Sequence, residues 1–422
     1  MAEIKAFNAL RYQKKAGDIA KLLCPPYDII SEEERRDYLK TDPYNIVRLE
    51  LPGNGKDPYV EAGKVLNDWL KEEIVACDKE AGIYIYEIEF DTTDGRKSIK
   101  GLNCLVRLEE FSKGIVLPHE ETLSKAKEDR FKLYKATSCN FSSIYSLYVD
   151  ENKNIYPLIE NLSLGEPDRS VTLKDGTTHR LWCIYDKKMI QTLASAFEKQ
   201  KLYIADGHHR YETALNYRNY LREQGQTTDG ADYVLMMLVN LEHPGLVVLP
   251  THRIVYGIND FNGDKLLEAG KAYFDISAIE KTQIAEHLDN TLKQGKKALV
   301  CYYDGKAFLL ELSDDNIMTE LLPESSLAIR KLDVSILHTL ILERLLGIDK
   351  ENLAKQKNLI YTRDIEEAIT AVDNKAADCA FLINPTGVEE IIAVSIAGEK
   401  MPQKSTYFYP KLITGLVMNK IK

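Results

Sequence analysis

The sequence lacks the features that mark several classes of protein. Its 7 cysteines never form a C-x-x-C pair, which argues against a zinc site or a disulfide framework. No segment approaches the run of about 20 apolar residues that spans a membrane. The N-terminus has no apolar run typical of a signal peptide. We therefore expect a cytoplasmic protein with no membrane partner.

Positive charge is also scarce. The 55 basic residues are outnumbered by 65 acidic ones, the net charge is −10, and no basic run is long enough to follow a duplex. Because DNA binding depends on neutralising phosphates, a nucleic-acid partner is disfavoured. The glycine-rich phosphate loops of the Walker and Rossmann kinds are absent too. The chain has no internal repeat and no low-complexity linker.

The sequence does have the composition of a globular protein, with 44% hydrophobic and 28% charged residues. At 422 residues it is long enough for two or three domains. Helical and strand patterns occur throughout, which predicts an α+β fold. We expect an N-terminal α/β domain at 1–110, a phosphate-binding core at 111–260, and a C-terminal α/β domain at 261–422.

Local patterns in the first domain predict several elements. Ser31 and Glu34 have the spacing of a capping box, which marks the start of a helix. Residues 45–52 have strand composition, and residues 59–76 have helical periodicity. The alternating run at 82–90 and the turn residues that follow it predict a hairpin.

The stretch 202–214 predicts a strand that passes through a tight turn into a helix. Asp206, Gly207, His208, His209 and Arg210 fall at the end of the strand and in the first turn of the helix. Backbone N–H groups and the helix dipole favour anions there, and glycine lets a ligand approach the backbone. The turn is thus a candidate phosphate site. The alternative is an ordinary turn with a capping aspartate and exposed histidines.

Two other segments carry candidate residues. The apolar run 115–118 precedes His119 and Glu120 and leads to a helical segment at 124–136, whose basic residues include Arg130. Near the C-terminus, 404–406 offers one cation and two hydroxyls, which suit a phosphate. The alternatives are a solvated helix face for the first segment and a polar loop for the second.

These motifs are similar to those of the ParB/sulfiredoxin superfamily, and the Asp-Gly-His turn is most similar to its free L-serine kinases. The whole pattern resembles a long bacterial and archaeal family catalogued as a domain of unknown function. The residues that carry this resemblance are Cys24-Pro-Pro-Tyr-Asp28, Pro43-Tyr-Asn-Ile-Val-Arg48, His119-Glu-Glu-Thr122, Asp129-Arg130, Pro250-Thr-His-Arg253, Asp206-Gly-His-His-Arg210 and Lys404-Ser-Thr406.

The resemblance implies a ParB/sulfiredoxin-like mixed-sheet core and a small-molecule kinase. The acceptor would be the hydroxyl of free L-serine or a related compound, the donor ATP, ADP or pyrophosphate, with Mg²⁺ as cofactor and a homodimer as a possible assembly. It implies that Glu120 is the base and that Asp206 is catalytic and holds the metal. The residues expected to hold phosphate or nucleotide are Gly207, His208, His209, Arg210, Arg130, Lys404, Ser405 and Thr406, and those expected to bind the substrate are His119, Thr251, His252 and Arg253.

Two other functions remain open from the sequence. A ParB-like, nucleotide-binding regulator associated with DNA would need a basic recognition helix, and no convincing one follows residue 215. A hydrolase metal site would use His119, Glu120, His208 and His209, although carboxylates suit Mg²⁺ better than imidazoles. The sequence does not decide which carboxylate acts as the base.

Overall fold

The computed structural model describes residues 1–53, 55–226, 229–349, 352–353 and 357–421. The chain folds into two compact units. Unit 1 contains Met1–Pro118, Thr122–Val247 and Pro410–Lys422, and unit 2 contains His119–Glu121 and Val248–Tyr409. Each unit therefore combines segments that are distant in sequence.

This division differs from the three consecutive domains that the sequence predicted. The strand Gly95–Arg107, from the expected first domain, pairs through its last six residues with Tyr233–Asn240, from the expected second. Because backbone hydrogen bonds join them into one sheet, the boundary expected near residue 110 does not separate two cores.

In the described residues of unit 1, the first three strands are short, and the longest strands follow between residues 83 and 107. The strands are β1 (Ile4–Lys5), β2 (Leu10–Tyr12), β3 (Val75–Cys77), β4 (Ile83–Thr92), β5 (Gly95–Arg107), β6 (Val116–Leu117), β7 (Cys139–Asn140), β8 (Ile144–Tyr148), β9 (Arg169–Thr172), β10 (Thr178–Ile184), β11 (Leu202–Asp206), β12 (Tyr233–Asn240) and, at the C-terminus, β21 (Asn419–Lys420).

Among the residues described, nine of these strands form one sheet of order β6-β11-β8-β12-β5-β4-β10-β9, with β1 paired to β5, while β2 pairs with β3 and β7 with β21. The pairs β11–β6 and β12–β8 are parallel, and the other pairs are antiparallel. The sheet is thus mixed. The α/β character and the large mixed sheet confirm the coarse fold expected from the sequence.

Helices of unit 1 include the one that follows the candidate turn. They are α1 (Glu32–Thr41), α2 (Val47–Glu50), α3 (Pro58–Lys71), α4 (Ser124–Thr137), α5 (Tyr156–Leu162), α6 (Lys187–Phe197) and α7 (His208–Glu223), with short 3-10 helices at Lys14–Ala16, Ile19–Lys21, Tyr27–Ile29, Phe111–Lys113 and Asp229–Asp232. Tyr211 and Ala214 of α7 pack into the same buried core as Leu102 and Met236 of the sheet. This packing fixes the start of α7 against the sheet.

Unit 2 is built around a second sheet. Over the part of unit 2 that is described, six strands pair in the order β15-β17-β16-β19-β14-β18, and every pair is antiparallel. The strands, with β13 spanning the unit boundary, are β13 (Val247–Leu249), β14 (His252–Val255), β15 (Phe274–Ile279), β16 (Ala298–Tyr303), β17 (Lys306–Leu312), β18 (Leu359–Thr362), β19 (Cys379–Ile383) and β20 (Tyr407–Tyr409).

The helices of unit 2 include a π-helix, Leu337–Leu345, which follows directly from a short α-helix. The others are α8 (Gly263–Gly270), α9 (Ile284–Lys293), α10 (Asn316–Leu321), α11 (Leu327–Arg330), α12 (Asp333–Ile336), α13 (Ile365–Asp373) and α14 (Val388–Ile396), and a 3-10 helix lies at Lys281–Gln283. π-Helical turns are rare and frequently mark functional sites. The described helices include none with the length and apolar character needed to cross a bilayer.

Most local predictions for the first 110 residues are confirmed. Ser31 Oγ accepts from the backbone N–H of Glu34, and Glu34 accepts from that of Ser31, which is the expected capping box. The hairpin is present as β4 and β5. The strand expected at 45–52 is wrong, because the segment forms α2. There Asn45 Oδ1 accepts from the N–H of Val47 at 2.9 Å, a local bond that competes with strand pairing.

Candidate functional site

The turn between β11 and α7 has the geometry that the sequence predicts. Gly207 has a φ of +98°, a left-handed conformation that favours glycine. The first hydrogen bond within the helix runs from the Tyr211 N–H to Gly207 O at 3.0 Å. Gly207 has no side chain, so it cannot cap the N–H groups of the first helical turn. An anion at this N-terminus would meet the positive end of a 16-residue helix.

Arg210 is the central side chain of the turn. It donates to Asp206 Oδ2 at 2.6 Å, to Ser142 Oγ at 3.0 Å and to Ser143 O at 2.6 Å. A Cβ added to Gly207 would lie only 3.0 Å from the guanidinium of Arg210. Gly207 is therefore favoured for two reasons, its φ angle and the closeness of Arg210.

Asp206 lies between two cations, Arg210 and Lys411. Lys411 Nζ donates to Oδ1, while Arg210 occupies Oδ2. Burial by itself would raise the pKa of Asp206, but the charges of Lys411 and Arg210 outweigh it and hold the pKa well below its usual value. Asp206 is thus ionised at neutral pH and holds both cations at the turn.

A second ionic cluster lies beneath this turn, in the interior of unit 1. Arg130 donates to Glu50 O at 2.7 Å and to Asp129 Oδ2 at 2.7 Å, and its guanidinium lies 4.0 Å from the ring centre of Tyr27. Burial raises the pKa of Glu50, with Arg130 acting in the opposite sense. The cavity among these side chains and Arg210 is only about 20 Å³, which holds one water at most. Arg130 and Arg210 therefore line the same small buried cavity, and a phosphate contact by Arg130 stays a prediction.

The two histidines of the turn differ in their surroundings. His208 is buried. His209 Nε2 accepts the backbone N–H of Leu123 at 2.9 Å, so this ring nitrogen carries no proton. One helical turn later, Glu212 accepts from Thr122 Oγ1 at 2.8 Å and from Lys127 Nζ at 2.6 Å. These bonds tie the start of α4 to the start of α7.

The residues expected to bind the substrate gather in unit 2. His119 is fully buried, and its Nε2 lies 3.0 Å from Thr406 Oγ1. Glu120 Oε1 accepts the backbone N–H of Lys404 at 2.6 Å. The backbone of His119 also accepts from the N–H of Met401 at 2.7 Å. The pair His119–Glu120 is thus held by the loop 401–406.

Lys404 and Ser405 take particular positions in that loop. Lys404 has a φ of +56°, a conformation that is costly for a residue with a Cβ and that often occurs at functional sites. Ser405 Oγ donates to Pro402 O at 2.5 Å, and Ser405 O accepts from Thr386 Oγ1 at 2.9 Å. The hydroxyl of Ser405 therefore closes the loop upon itself.

Arg253 is the largest of the fully buried side chains among the described residues of unit 2, at 0% exposure. It donates to Thr251 O and, at 3.2 Å, to Lys404 O. Its Nη2 also lies 3.4 Å from His338 Nε2. Burial lowers the pKa of Arg253 to about 10, although Tyr361 and Glu120 oppose this shift. Within the described part of the chain, no carboxylate forms an ion pair with Arg253.

His252, the neighbour of Arg253, is held by the backbone of the adjacent strand β19. Its Nδ1 accepts the backbone N–H of Ile383 at 3.3 Å across the sheet of unit 2. Burial lowers its pKa to about 4, and the charge of Arg253 acts in the same direction. His252 is therefore neutral at pH 7.

The structure brings the predicted site residues together in two groups, one in each unit. Sequence reasoning missed several residues that hold the first group in place, because their patterns are ordinary. The first group is Arg130, Asp206, Gly207, His208, His209 and Arg210; the second is His119, Glu120, Thr251, His252, Arg253, Lys404, Ser405 and Thr406; the missed residues are Tyr27, Glu50, Ser142, Ser143 and Lys411.

A metal ion would find few protein ligands at these residues. The described residues contain no group of three or more His, Cys, Asp or Glu side chains placed to hold one. The two His pairs of the hydrolase alternative thus lack the geometry of a transition-metal site. Mg²⁺ at Asp206 would have to take its other ligands from phosphate oxygens and water, which is usual for this ion.

Comparison with known proteins assigns the family. A family model described as "Protein of unknown function (DUF1015)" matches residues 4–335. The chain belongs to this family. No curated protein sequence matches it.

Some solved structures resemble the chain at low identity. A conserved hypothetical protein from Pyrococcus furiosus is 14% identical, with a TM-score of 0.36, over 72% of this chain and 93% of that one. A free serine kinase in complex with AMP is 14% identical, with a TM-score of 0.37, over 74% and 90%. SbnI with a C-terminal truncation, from Staphylococcus aureus, is 10% identical, with a TM-score of 0.39, over 75% and 87%.

Proposed function

We propose that the protein is a small-molecule kinase with a ParB/sulfiredoxin-like core. It transfers a phosphoryl group from ATP, ADP or pyrophosphate to the hydroxyl of free L-serine or a related small compound. The observation that carries this proposal is the turn at Gly207, where Asp206 holds Arg210 and Lys411 at the N-terminus of a long helix.

The turn suits the phosphates of the donor for three physical reasons. The N-terminus of α7 offers backbone N–H groups and the positive end of the helix dipole. Gly207 has no side chain, so a phosphate oxygen can approach the backbone. Arg210 and Lys411 supply positive charge that is already fixed in place, so little ordering is needed when an anion binds.

Glu120 is the proposed base. Its Oε1 is fixed by the N–H of Lys404, and an oriented carboxylate is suited to accept the proton of a hydroxyl. In the proposed step the substrate oxygen forms a bond to the terminal phosphorus and the bond from that phosphorus to the leaving phosphate oxygen breaks. The hydroxyl proton passes to the carboxylate of Glu120, so charge and atoms balance.

Asp206 is the residue that would hold Mg²⁺, and the ion would supply neutralisation of phosphate charge during transfer. Both oxygens of Asp206 already contact cations. An ion at this position would therefore compete with Lys411 for Oδ1. Lys404 and Thr406 remain proposed contacts to phosphate, and His119 and Arg253 remain proposed contacts to the substrate.

The test is a direct assay of the purified protein. L-Serine and Mg²⁺ are incubated with ATP, ADP or pyrophosphate in turn, and products are read by phosphorus NMR. We expect O-phosphoserine with at least one donor, and none from a Glu120→Gln variant that still binds the donor. Glu128→Gln, an exposed helix carboxylate paired with Lys132, is the matched control. Donor binding without product would favour the alternative, a ParB-like regulator, and absence of both would contradict the proposal.

A further inference from the structure

Unit 2 contains a cavity of about 500 Å³ that no step of the proposed function uses. This volume lies in the range of small-molecule sites. One wall is the π-helix Leu337–Leu345, which contributes His338 and Thr339. An extended π-helix costs backbone hydrogen-bond quality, and such segments are retained mainly where they serve a function.

The floor of the cavity is neutral and rich in donors. His338, Ser335 and Tyr361 line it, and the first two are buried. Within the residues that the structure describes, Ser335 Oγ has no hydrogen-bond partner. A buried hydroxyl left without a partner is unfavourable, and a bound ligand atom would satisfy it.

A positive charge lies directly behind this floor. Arg253 Nη2 approaches His338 Nε2 at 3.4 Å, and its guanidinium lies 5.2 Å from the ring centre of Tyr361. A guanidinium can only donate, so His338 Nε2 is the acceptor and the neutral ring carries its proton on Nδ1. The cation behind His338 polarises that N–H and favours an anionic acceptor.

The rest of the cavity lining combines apolar, uncharged polar and oppositely charged side chains. Leu322, Ile329 and Leu353 provide apolar surface. Four charged side chains, all exposed, line its outer part: Glu121, Glu343, Arg344 and Lys400. The two positive and two negative groups are compatible with a simple acid and with a zwitterion, and the apolar side chains favour a ligand with a hydrocarbon part.

We propose that this cavity binds a small carboxylic acid with an aliphatic chain, its carboxylate at His338 and Ser335 and its chain against Leu322 and Ile329. This site does not depend on the kinase proposal. Pro402 and Gln403 also line the cavity, and the next residue, Lys404, holds Glu120. A ligand seated there contacts the loop that orients Glu120.

The test compares ligands that differ by one charge. Binding of 4-methylpentanoate and of the uncharged 4-methylpentanamide to the full-length protein is measured by ligand-observed NMR. We expect a dissociation constant of about 1 mM for so small an acid and binding at least about tenfold weaker for the amide. L-Leucine, as a third probe, distinguishes an amino acid from a simple acid as the source of the carboxylate, since its ammonium would be attracted by the carboxylates of Glu121 and Glu343 in the cavity lining.

Two variants locate the binding. His338→Leu should weaken 4-methylpentanoate binding at least about tenfold by removing the donor. Thr339→Trp, at a partly buried position, should abolish it by filling the cavity. Lys306→Ala, in a different cavity of unit 2, is the control and should leave binding unchanged. Equal binding of acid and amide, undiminished binding to Thr339→Trp, or no binding up to about 10 mM would overturn the proposal.

Discussion

Arg210 donates to Asp206 at 2.6 Å across the glycine turn, and the two residues are four positions apart. The same guanidinium reaches Ser142 and Ser143 on the segment before β8. Arg210 is thus the link between the turn and the sheet. Lys411 completes the arrangement from the C-terminal segment.

Replacing Arg210 by alanine should reduce both stability and donor binding. Asp206 would lose one of its charged partners, and a buried carboxylate that loses a partner costs about 3–5 kcal/mol. Arg210→Lys keeps the charge but loses the forked geometry, so it should recover stability more than donor affinity. Urea unfolding and nucleotide titration measure the two effects. Lys132→Ala, on the exposed face of α4, is the control. Full donor affinity in a folded Arg210→Ala variant would remove Arg210 from the binding site.

Gly207→Ala should weaken donor binding at a modest cost in stability. The positive φ costs any residue with a Cβ about 1–2 kcal/mol, and the added methyl would lie 3.0 Å from the guanidinium of Arg210. Gly225→Ala is the matched control, because Gly225 also has a positive φ but has no heavy atom within 4 Å of an added Cβ. Thermal unfolding should shift in both variants, whereas nucleotide affinity should fall only in Gly207→Ala. A fall in both would mean that the effect comes from stability alone.

The Lys404→Gly variant distinguishes two roles of Lys404 in the loop that holds Glu120, its strained backbone and its side-chain ammonium. The change relieves a φ of +56° and keeps the N–H that binds Glu120, so the free energy of unfolding should rise by up to about 1 kcal/mol. Turnover should nevertheless fall if the Lys404 ammonium contacts a phosphate. Lys375→Gly, at a φ of +57°, is the control and should change stability alone. Unchanged turnover in Lys404→Gly would show that the Lys404 side chain does not contribute to catalysis and that only the backbone N–H of residue 404 does.

Asp333 should make the stability of unit 2 depend on pH. Burial raises its pKa to about 7, against the opposing charge of Lys297. Between pH 4 and 7 the folded protein keeps a proton that the unfolded chain has lost, so stability falls as pH rises, by at most about 4 kcal/mol in total. Asp333→Asn removes this titration. The difference in the free energy of unfolding between this variant and the parent protein should therefore shift in favour of the variant as the pH rises from 4 to 8. Denaturant unfolding across this range measures it.

The control for that experiment is Asp289→Asn, an exposed carboxylate paired with Lys293 on α9. This variant should keep the pH slope of the parent protein. If the stability of Asp333→Asn changed with pH in the same way as that of the parent protein, Asp333 would titrate normally in the folded state.

The sequence by itself determined the local elements. The strand, turn and helix around Gly207, the capping box at Ser31 and the hairpin of β4 and β5 depend on residues a few positions apart, whose spacing is visible in the chain. Where a local bond competed with a pattern, as at Asn45, the strand prediction failed. Elements that depend on short-range interactions could therefore be predicted from the sequence, except where two short-range preferences disagreed.

Only the tertiary structure decided the partners of these elements. Lys411 reaches Asp206 from 205 positions away, Glu50 meets Arg130 across 80, and the loop at Lys404 meets Glu120 across 284. Such pairs depend on which strands join into which sheet, and no periodicity in the chain encodes that choice. The charge on Asp206, the buried ionic cluster next to Arg210 and the cavity beside the π-helix all follow from these long-range contacts.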